Sequence, residues 1–404
     1  MVRHFIQHYL VRFWSPMPAI IALGVLAAYY FGLTGTYWAV TGEFTRWGGH
    51  VMQFMGIDTS SLGYFTIMGL QGTPLDRIDG VMIIGMFAGC FAAALMANNV
   101  KFRLPQSSIR VFQALIGGII AGFGARIGMG CNLASFFTGI PQFSVHAWFF
   151  TLATLVGGWV AAQVVSLPLF RSKVKLVAAT EQKPITQNPA RAKIFFVLGV
   201  LVLVGISVWI VWLMAFKPTP EGKNISPLAI AMLCGVGFGF IISRAQICFT
   251  SAFRDLFVTG RGMMARAVIV GMMVSTIGVF SYIMLGMPPK IMWAGPNTII
   301  GGFLFGFGIV LAGGCECGWM YRAVEGQVHY WIVGIGNVIG ASLLALTWDY
   351  YAEPLATSFP RINLLATFGN YGGLIVNYIA LIAFLVVILC IEKYYLAKKR
   401  VQFS

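Results

Sequence analysis

The sequence predicts an all-α polytopic membrane protein: about ten transmembrane helices, short broken or re-entrant helices between them, and two inverted-topology repeats. Three observations predict it. Apolar residues make up 58% of the 404 and charged residues only 10%, with a mean hydropathy of +0.83. Runs of about 20 apolar residues, the length that spans a bilayer core, recur along the chain. A glycine-rich segment in the first half returns in the second at a fixed offset.

The runs extend from Pro16 to Leu33, Ile78 to Asn98, Ile109 to Met129, Ser144 to Leu169, Ile194 to Phe216, Leu228 to Ile242, Met263 to Gly286, Thr298 to Gly314, Val328 to Thr347 and Gly372 to Tyr394. Those at 228 and 298 are short. The first is expected to be retained as a span, because "MVRHFIQHYLVRFW" lacks the layout of a cleaved signal peptide.

A formal charge of +15 invites a nucleic-acid reading, but the basic residues are scattered through short loops rather than gathered on one soluble face. They orient the spans instead, since cytoplasmic loops collect Lys and Arg. Arg3, Arg12, Lys101, Arg103, Arg110, the stretch "RSKVKLVAATEQKPITQNPARAK", Arg244, Arg254, Arg261, Arg266 and the terminal "KKR" fall on one side. Glu43, Asp58, Asp76, Asp79, Asp349 and Glu353 fall in the opposite loops. Both termini are therefore expected to be cytoplasmic.

The repeat is carried by "GGIIAGFGARIGMGC" (117–131) and "GGFLFGFGIVLAGGC" (301–315), which align without gaps at an offset of 184 with seven of fifteen positions identical. After a one-residue slip His146 meets His329 and Gly157 meets Gly340. "LGVLAAYYFGLTGTYW" set against "CGVGFGFIISRAQICF" places Tyr37 opposite Cys248. The expected division is a first repeat at 1–170, a cytoplasmic linker at 171–193, a connecting helix at 194–216, a second repeat at 217–350, and a final helix with a basic tail at 351–404. Five spans separate each helix from its counterpart, an odd number, so the second copy is inverted. Transporters use this device to build a site near the midplane from broken helices.

The candidate path residues lie at those breaks. Gly118 and Gly122, with counterparts Gly302 and Gly306, have the spacing that lets helices pack closely. The glycines beside Cys131 and Cys315 weaken the helix and free its last carbonyls. Irregular backbone at membrane depth is tolerated only inside protein or along a cavity, so Cys131 and Cys315 are expected to face one. Cys248 follows a polar break at Ser243 and Arg244, and Cys317 is within reach of the same place. Cys90, Cys234 and Cys390 lie within spans and are expected to pack as small core residues.

Charged residues at membrane depth are costly and are functional candidates by default. Arg126 stands five residues before Cys131, about 140° around a straight helix from it; pairing with a carboxylate is the alternative role. Arg244, Arg254 and Arg322 either attract an anion or mark the cytoplasmic boundary. Glu316 either pairs with Arg322 or titrates during transport. His146 and His329 are expected to be ordinary interfacial histidines. The chain has no phosphate-binding GxxxxGK[ST] loop, no paired-histidine metalloprotease motif and no serine nucleophile elbow, so neither an enzyme nor a cofactor is expected.

"GFGARIGMGCNLASFF", "SRAQICFTSAFRDLF" and "AGGCECGWMYRA" resemble the YeeE/YedE sulfur-transport family, and the last looks like its selenium-associated YedE branch. The resemblance runs over most of the chain. It implies an inner-membrane protein of hourglass-like, inverted-repeat form that passes thiosulfate, or a selenium compound, along thiols mapping onto Cys131, Cys248 and Cys315. The sequence departs from the family in its second cysteine, Cys317, and in placing the two-cysteine half after the linker. Neutral thiols suit such a path, because they are weak donors, they stay protonated in apolar surroundings, and weak sites in series release what they hold. The expected partners are membrane lipid, the small sulfur or selenium anion and, at the basic face, a sulfurtransferase-like or selenium-handling protein; nucleic acid is not expected. Two rival schemes use the same residues, a thiol–disulfide electron carrier built on Cys131 and Cys315 and a soft-metal transporter built on "CEC". The second lacks a methionine or histidine cluster beside the cysteines.

Overall fold

The computed structural model describes residues 6–170, 189–217 and 225–402. In chain order its principal helices are α1 (Pro16–Thr34), α2 (Thr41–Phe54), α3 (Ile78–Met96), α4 (Ser108–Ile127), α5 (Val145–Ser166), α6 (Pro189–Phe216), α7 (Pro227–Ala245), α8 (Phe249–Thr259), α9 (Met263–Met284), α10 (Pro296–Ala312), α11 (Glu316–Val324), α12 (Val328–Tyr351) and α13 (Asn370–Gln402). Ten stretches among the described residues are long and apolar enough to cross a membrane; two of them take in α7 with α8 and α10 with α11, and α2 lies outside all ten. Each of the ten overlaps one of the predicted runs. The expected linker lies largely outside the described residues, and its last five, from Pro189, already belong to α6.

Local chemistry sets several of these limits. Proline opens α1, α7 and α10 within their first two positions, where no intrahelical N–H is needed. The Ser107 hydroxyl caps α4 by accepting from the amide of Arg110.

The tightest helix pairs all join the two halves: α3 with α7, α1 with α9, α4 with α12, α5 with α10, and α4 with α10. Small residues make this possible. A side chain at Gly118 or Gly122 would collide with backbone carbonyls of α12, and one at Gly302 or Gly306 with those of α5. Gly157 lies against the carbonyl of Phe303, and Gly340 against that of Ile119. Ile119 and Phe303 are themselves 184 residues apart, so matched glycines meet matched residues. Without a hydrophobic drive between helices in lipid, such close backbone packing is a main source of cohesion.

α6 and α13 stand outside this core. The buried residues of α6 are Gly199, Ile206 and Leu213, one narrow line at seven-residue spacing, with Val202, Trp209 and Ile210 half-buried beside it and Val197, Leu201, Val204, Val208 and Val211 exposed. On α13, Asn377, Leu381 and Ile388 are fully buried while Ile375, Ile379, Ile382 and Val386 are exposed.

One sequence expectation changes here. The charge pattern puts Glu43 in an acidic loop, yet it is fully buried in α2, where Arg77 and Arg46 hold its carboxylate. The amphipathic helix that carries it is too short and too polar to stand out as an apolar run.

Candidate functional site

Four spans stop in the same way. α1, α7 and α10 end on a left-handed residue, Gly35 (φ 79°), Gln246 (φ 51°) and Gly313 (φ 80°), and α4 ends one residue before another, Met129 (φ 58°). Two residues after each stand Tyr37, Cys248, Cys315 and Cys131. The left-handed turn costs least at glycine and more at Met129 and Gln246. It reverses the chain so that a short helix starts inside the protein, and a cysteine caps it in three cases: Cys131 before Asn132–Phe137, Cys248 before α8 and Cys315 before α11. Free amides and the helix dipole favour negative charge at such ends.

The carbonyls freed by these breaks are met by side chains. His329 Nε2 lies 2.8 Å from Ala312 O, Asn297 Nδ2 donates to Ile127 O at 3.0 Å, and Arg322 Nη1 and the Tyr330 hydroxyl both donate to Gly313 O at 3.2 Å. The matched histidines differ, since His146 contacts Ser144 Oγ at 2.5 Å rather than a helix-end carbonyl.

Around the breaks the thiols converge. Cys248 Sγ and Cys315 Sγ are 3.8 Å apart, both side chains buried. The Cys317 thiol lies beside that of Cys315. Cys131 lies by the amides of Leu133 and Ala134 and the hydroxyl of Thr41, within charge-interaction range of Glu316. Gly318, which no motif in the sequence singles out, keeps this space open: a Cβ there would stand 2.7 Å from Cys248 Sγ and 3.6 Å from Cys315 Sγ. The thiols against Cys315 are thus those of Cys248 and Cys317, not that of the symmetry-related Cys131 that a dithiol carrier was expected to use.

The charged candidates divide. Glu316 accepts from Asn337 Nδ2 at 3.0 Å rather than pairing with Arg322, and its other oxygen is buried without a partner. Arg322 Nη1 also donates to the Tyr330 hydroxyl at 2.9 Å, beside the thiol pair. Arg244 is fully buried and donates to Leu10 O and Val11 O, so it fastens the N-terminal segment against α7. Arg254 pairs with its neighbour Asp255 at the surface. Cys90 donates to Gly239 O at 3.2 Å, Cys234 is buried, and Cys390 is exposed. No group of three or more His, Cys, Asp or Glu side chains among the described residues has metal-ligand geometry.

The model of a family described as sulphur transport matches residues 2–160 and 244–404, which include every one of these breaks. The chain belongs to the sulphur-transport family. It is 60% identical over 391 residues to proteins named probable transporter YedE from Salmonella typhimurium and Escherichia coli, covering 97% of this chain and 96% of each relative. It is also 39% identical over 109 residues to the thiosulfate transporter TsuA of Escherichia coli, 26% of this chain and 31% of that protein.

This member of the sulphur-transport family also has a cavity of about 450 Å³ at the end of the molecule formed by the N-terminal ends of α2 and α3, the C-terminal end of α4 and the 289–293 loop. Arg46, Arg126, Lys290 and Arg361 line it against one carboxylate, Asp79, together with Tyr37, Thr41, Met68 and Met129. Arg126 is not on one helix with Cys131, because α4 ends between them. It donates to Thr41 Oγ1 and Met68 Sδ, both at 3.2 Å, and lies over the ring of Tyr64; it has no carboxylate partner among the described residues. Lys290, in the loop between α9 and α10, donates to Met129 O at 3.3 Å and sits 3.8 Å from the centre of the Tyr37 ring. Burial, and then the nearby Arg126, push its pKa down to about 7. Lys290 left little trace in the sequence, where it is a single lysine in a short proline-bearing loop.

Proposed function

We propose that this protein is an inner-membrane permease for a small sulfur- or selenium-containing anion, passed along the thiols of Cys131, Cys248 and Cys315, with Cys317 beside them. The observation that carries the reading is the convergence of these thiols at helix breaks, with Cys248 and Cys315 in contact. The thiosulfate transporter among the relatives supports a sulfur anion. Buried polar atoms of α11 with no protein partner, Glu316 Oε2, Trp319 Nε1 and Tyr321 OH, support a passage that a polar solute enters, because each would otherwise cost about 1–3 kcal/mol. The function is transport without catalysis, and both termini face the cytoplasm.

The reciprocal helix pairing and the left-handed residues at matched offsets support the inverted-repeat reading. On that reading the thiols belong where the two halves meet, the usual position of a transporter site.

Uptake of labelled thiosulfate, selenite and a reduced selenium donor tests the proposal in cells lacking other importers, at matched expression. One of the three compounds should enter with the wild type. Cys131→Ala, Cys248→Ala and Cys315→Ala should each lower that uptake by about tenfold or more, a loss of roughly 1.4 kcal/mol or more in transit, and Cys317→Ala by less. Normal uptake in the three alanine variants would sink the thiol path.

A second reading is favoured by the 3.8 Å thiol pair alone: Cys248 and Cys315 become a disulfide by thiol–disulfide exchange with a partner protein's disulfide, which leaves as the dithiol, and a partner dithiol reverses the step. The sulfurs would have to close to about 2.05 Å. Acid trapping followed by maleimide labelling during uptake separates the two readings. The permease keeps both thiols reduced throughout, whereas the carrier accumulates the disulfide during turnover.

A further inference from the structure

We infer that Glu316 is a proton-carrying site: its carboxylate binds a proton as an anion comes among the thiols and gives that proton up on the cytoplasmic side, so that anion and proton cross together. The inference rests on the permease reading for the anion's route, while the proton on Glu316 can be read without any transit.

A buried carboxylate with no counter-charge is the core of the case. Glu316 is 1% exposed and forms no ion pair among the described residues. One oxygen accepts from Asn337 Nδ2 at 3.0 Å and the other, Oε2, has no partner. Glu43, also buried, shows how this fold treats a permanent charge, for Arg77 and Arg46 hold it on two sides. An ionised carboxylate left inside without such a partner is expensive, and taking up a proton removes the cost.

The position accommodates both forms. Glu316 opens α11, where free amides and the helix dipole favour the carboxylate. Asn337 donates to that form. Turned over, its amide presents Oδ1, which has no other partner, to the O–H of the acid. Asn337 is itself buried on α12 where that helix crosses α4, and a Cβ at Gly118 or Gly122 would strike its backbone, so the amide stays in place while its two ends exchange. A hard metal cation suits the site less well than a proton, since it takes about six oxygens and the neighbours here are mostly sulfur.

The titratable groups facing Glu316 are thiols: Cys315 and Cys317 beside it in the chain, Cys248 before α8 and Cys131 at the α4 break. The charged groups of the helices packed on α11 are engaged elsewhere. Asp79 of α3 lines the cavity at the α4 break, Arg244 of α7 holds Leu10 and Val11, and Arg254 of α8 pairs with Asp255. On α12, His329 lies against Ala312 O; Arg322, on α11 itself, donates to Gly313 O and Tyr330 and faces the Cys248–Cys315 pair. With Glu316 ionised, an anion among the four thiols meets a like charge where water screens little. With Glu316 protonated it meets neutral donors. Anion and proton therefore favour each other, and that coupling is reciprocal. A proton taken from outside and released to the cytoplasm makes an inward proton gradient a driving force for uptake.

Infrared difference spectroscopy of the purified full-length protein in detergent reads the proton directly. Adding thiosulfate to wild type at pH 8 should raise the C=O band of a protonated carboxylic acid, which Glu316→Asp keeps and Glu316→Gln lacks. In proteoliposomes with the membrane potential clamped at zero, wild type and Glu316→Asp should accumulate thiosulfate about tenfold for one unit of pH gradient, alkaline inside, as one proton per anion requires. Glu316→Gln should bring it only to equal concentrations on the two sides. No anion-dependent band in folded wild type, or accumulation by Glu316→Gln equal to that of wild type, overturns the proton site. Failure of the permease reading looks different: the band responds to thiosulfate, yet none enters the vesicles.

Discussion

Gly318→Val is expected to lower anion uptake by about 100-fold while the protein still inserts and folds. Even the Cβ of alanine would stand 2.7 Å from Cys248 Sγ, well inside van der Waals contact. α11 cannot easily yield. Trp319 N bonds to Cys315 O at 2.8 Å, Glu316 is tied to Asn337, and Arg322 is tied to Gly313 and Tyr330. The thiols must therefore part, and a displacement of about 1 Å at a reacting or binding group can cost 10²-fold. Alanine should give a smaller loss than valine. The same variants should lose oxidant-induced Cys248–Cys315 crosslinking, read as a shift after maleimide labelling. Wild-type uptake in Gly318→Val would mean that the solute does not pass this pair.

Much of this site was legible in the sequence because the chemistry is local there. A span that stops at "GGC" or at "SRAQIC" is a helix end, and the cysteines at those stops are the ones the fold brings to the breaks. The offset of 184 pointed to the matched positions where Met129 and Gly313 both turn left-handed. What escaped is what depends on contacts distant in the chain. Gly318 is an ordinary glycine until Cys248, 70 residues earlier, lies against it. Lys290 acquires its meaning from Arg126 and Tyr37, and no spacing relates the three. Symmetry suggested Cys131 and Cys315 as a pair, but equivalent positions in two copies need not touch each other. Cys315 instead meets Cys248, which caps a different break.

Glu43→Ala is expected to destabilise the folded protein by about 3–5 kcal/mol, the usual cost of removing one partner from a buried ion pair. Its carboxylate is fully buried and accepts from Arg77 Nη2 at 2.6 Å, Arg46 Nη1 at 3.2 Å and Trp47 Nε1 at 3.1 Å. Both arginines also grip the chain that follows α2. Arg46 donates to Met68 O and Gly69 O, and Arg77 to Gln71 O and Gly72 O. One carboxylate thus closes the polar side of the excursion between α2 and α3, whose Tyr64 and Phe65 pack in an apolar cluster with Leu344 and Trp348. Its loss leaves Arg77 without a carboxylate and Arg46 with Asp79 alone, and loosens Arg46 and Met68, which line the cavity at the α4 break. Thermal unfolding in detergent should show the drop. Removing Arg77 as well should cost less than the sum of the single changes, because the pair acts as a unit. If the two losses simply add, Glu43 and Arg77 are independent, and the excursion is held by its backbone contacts instead.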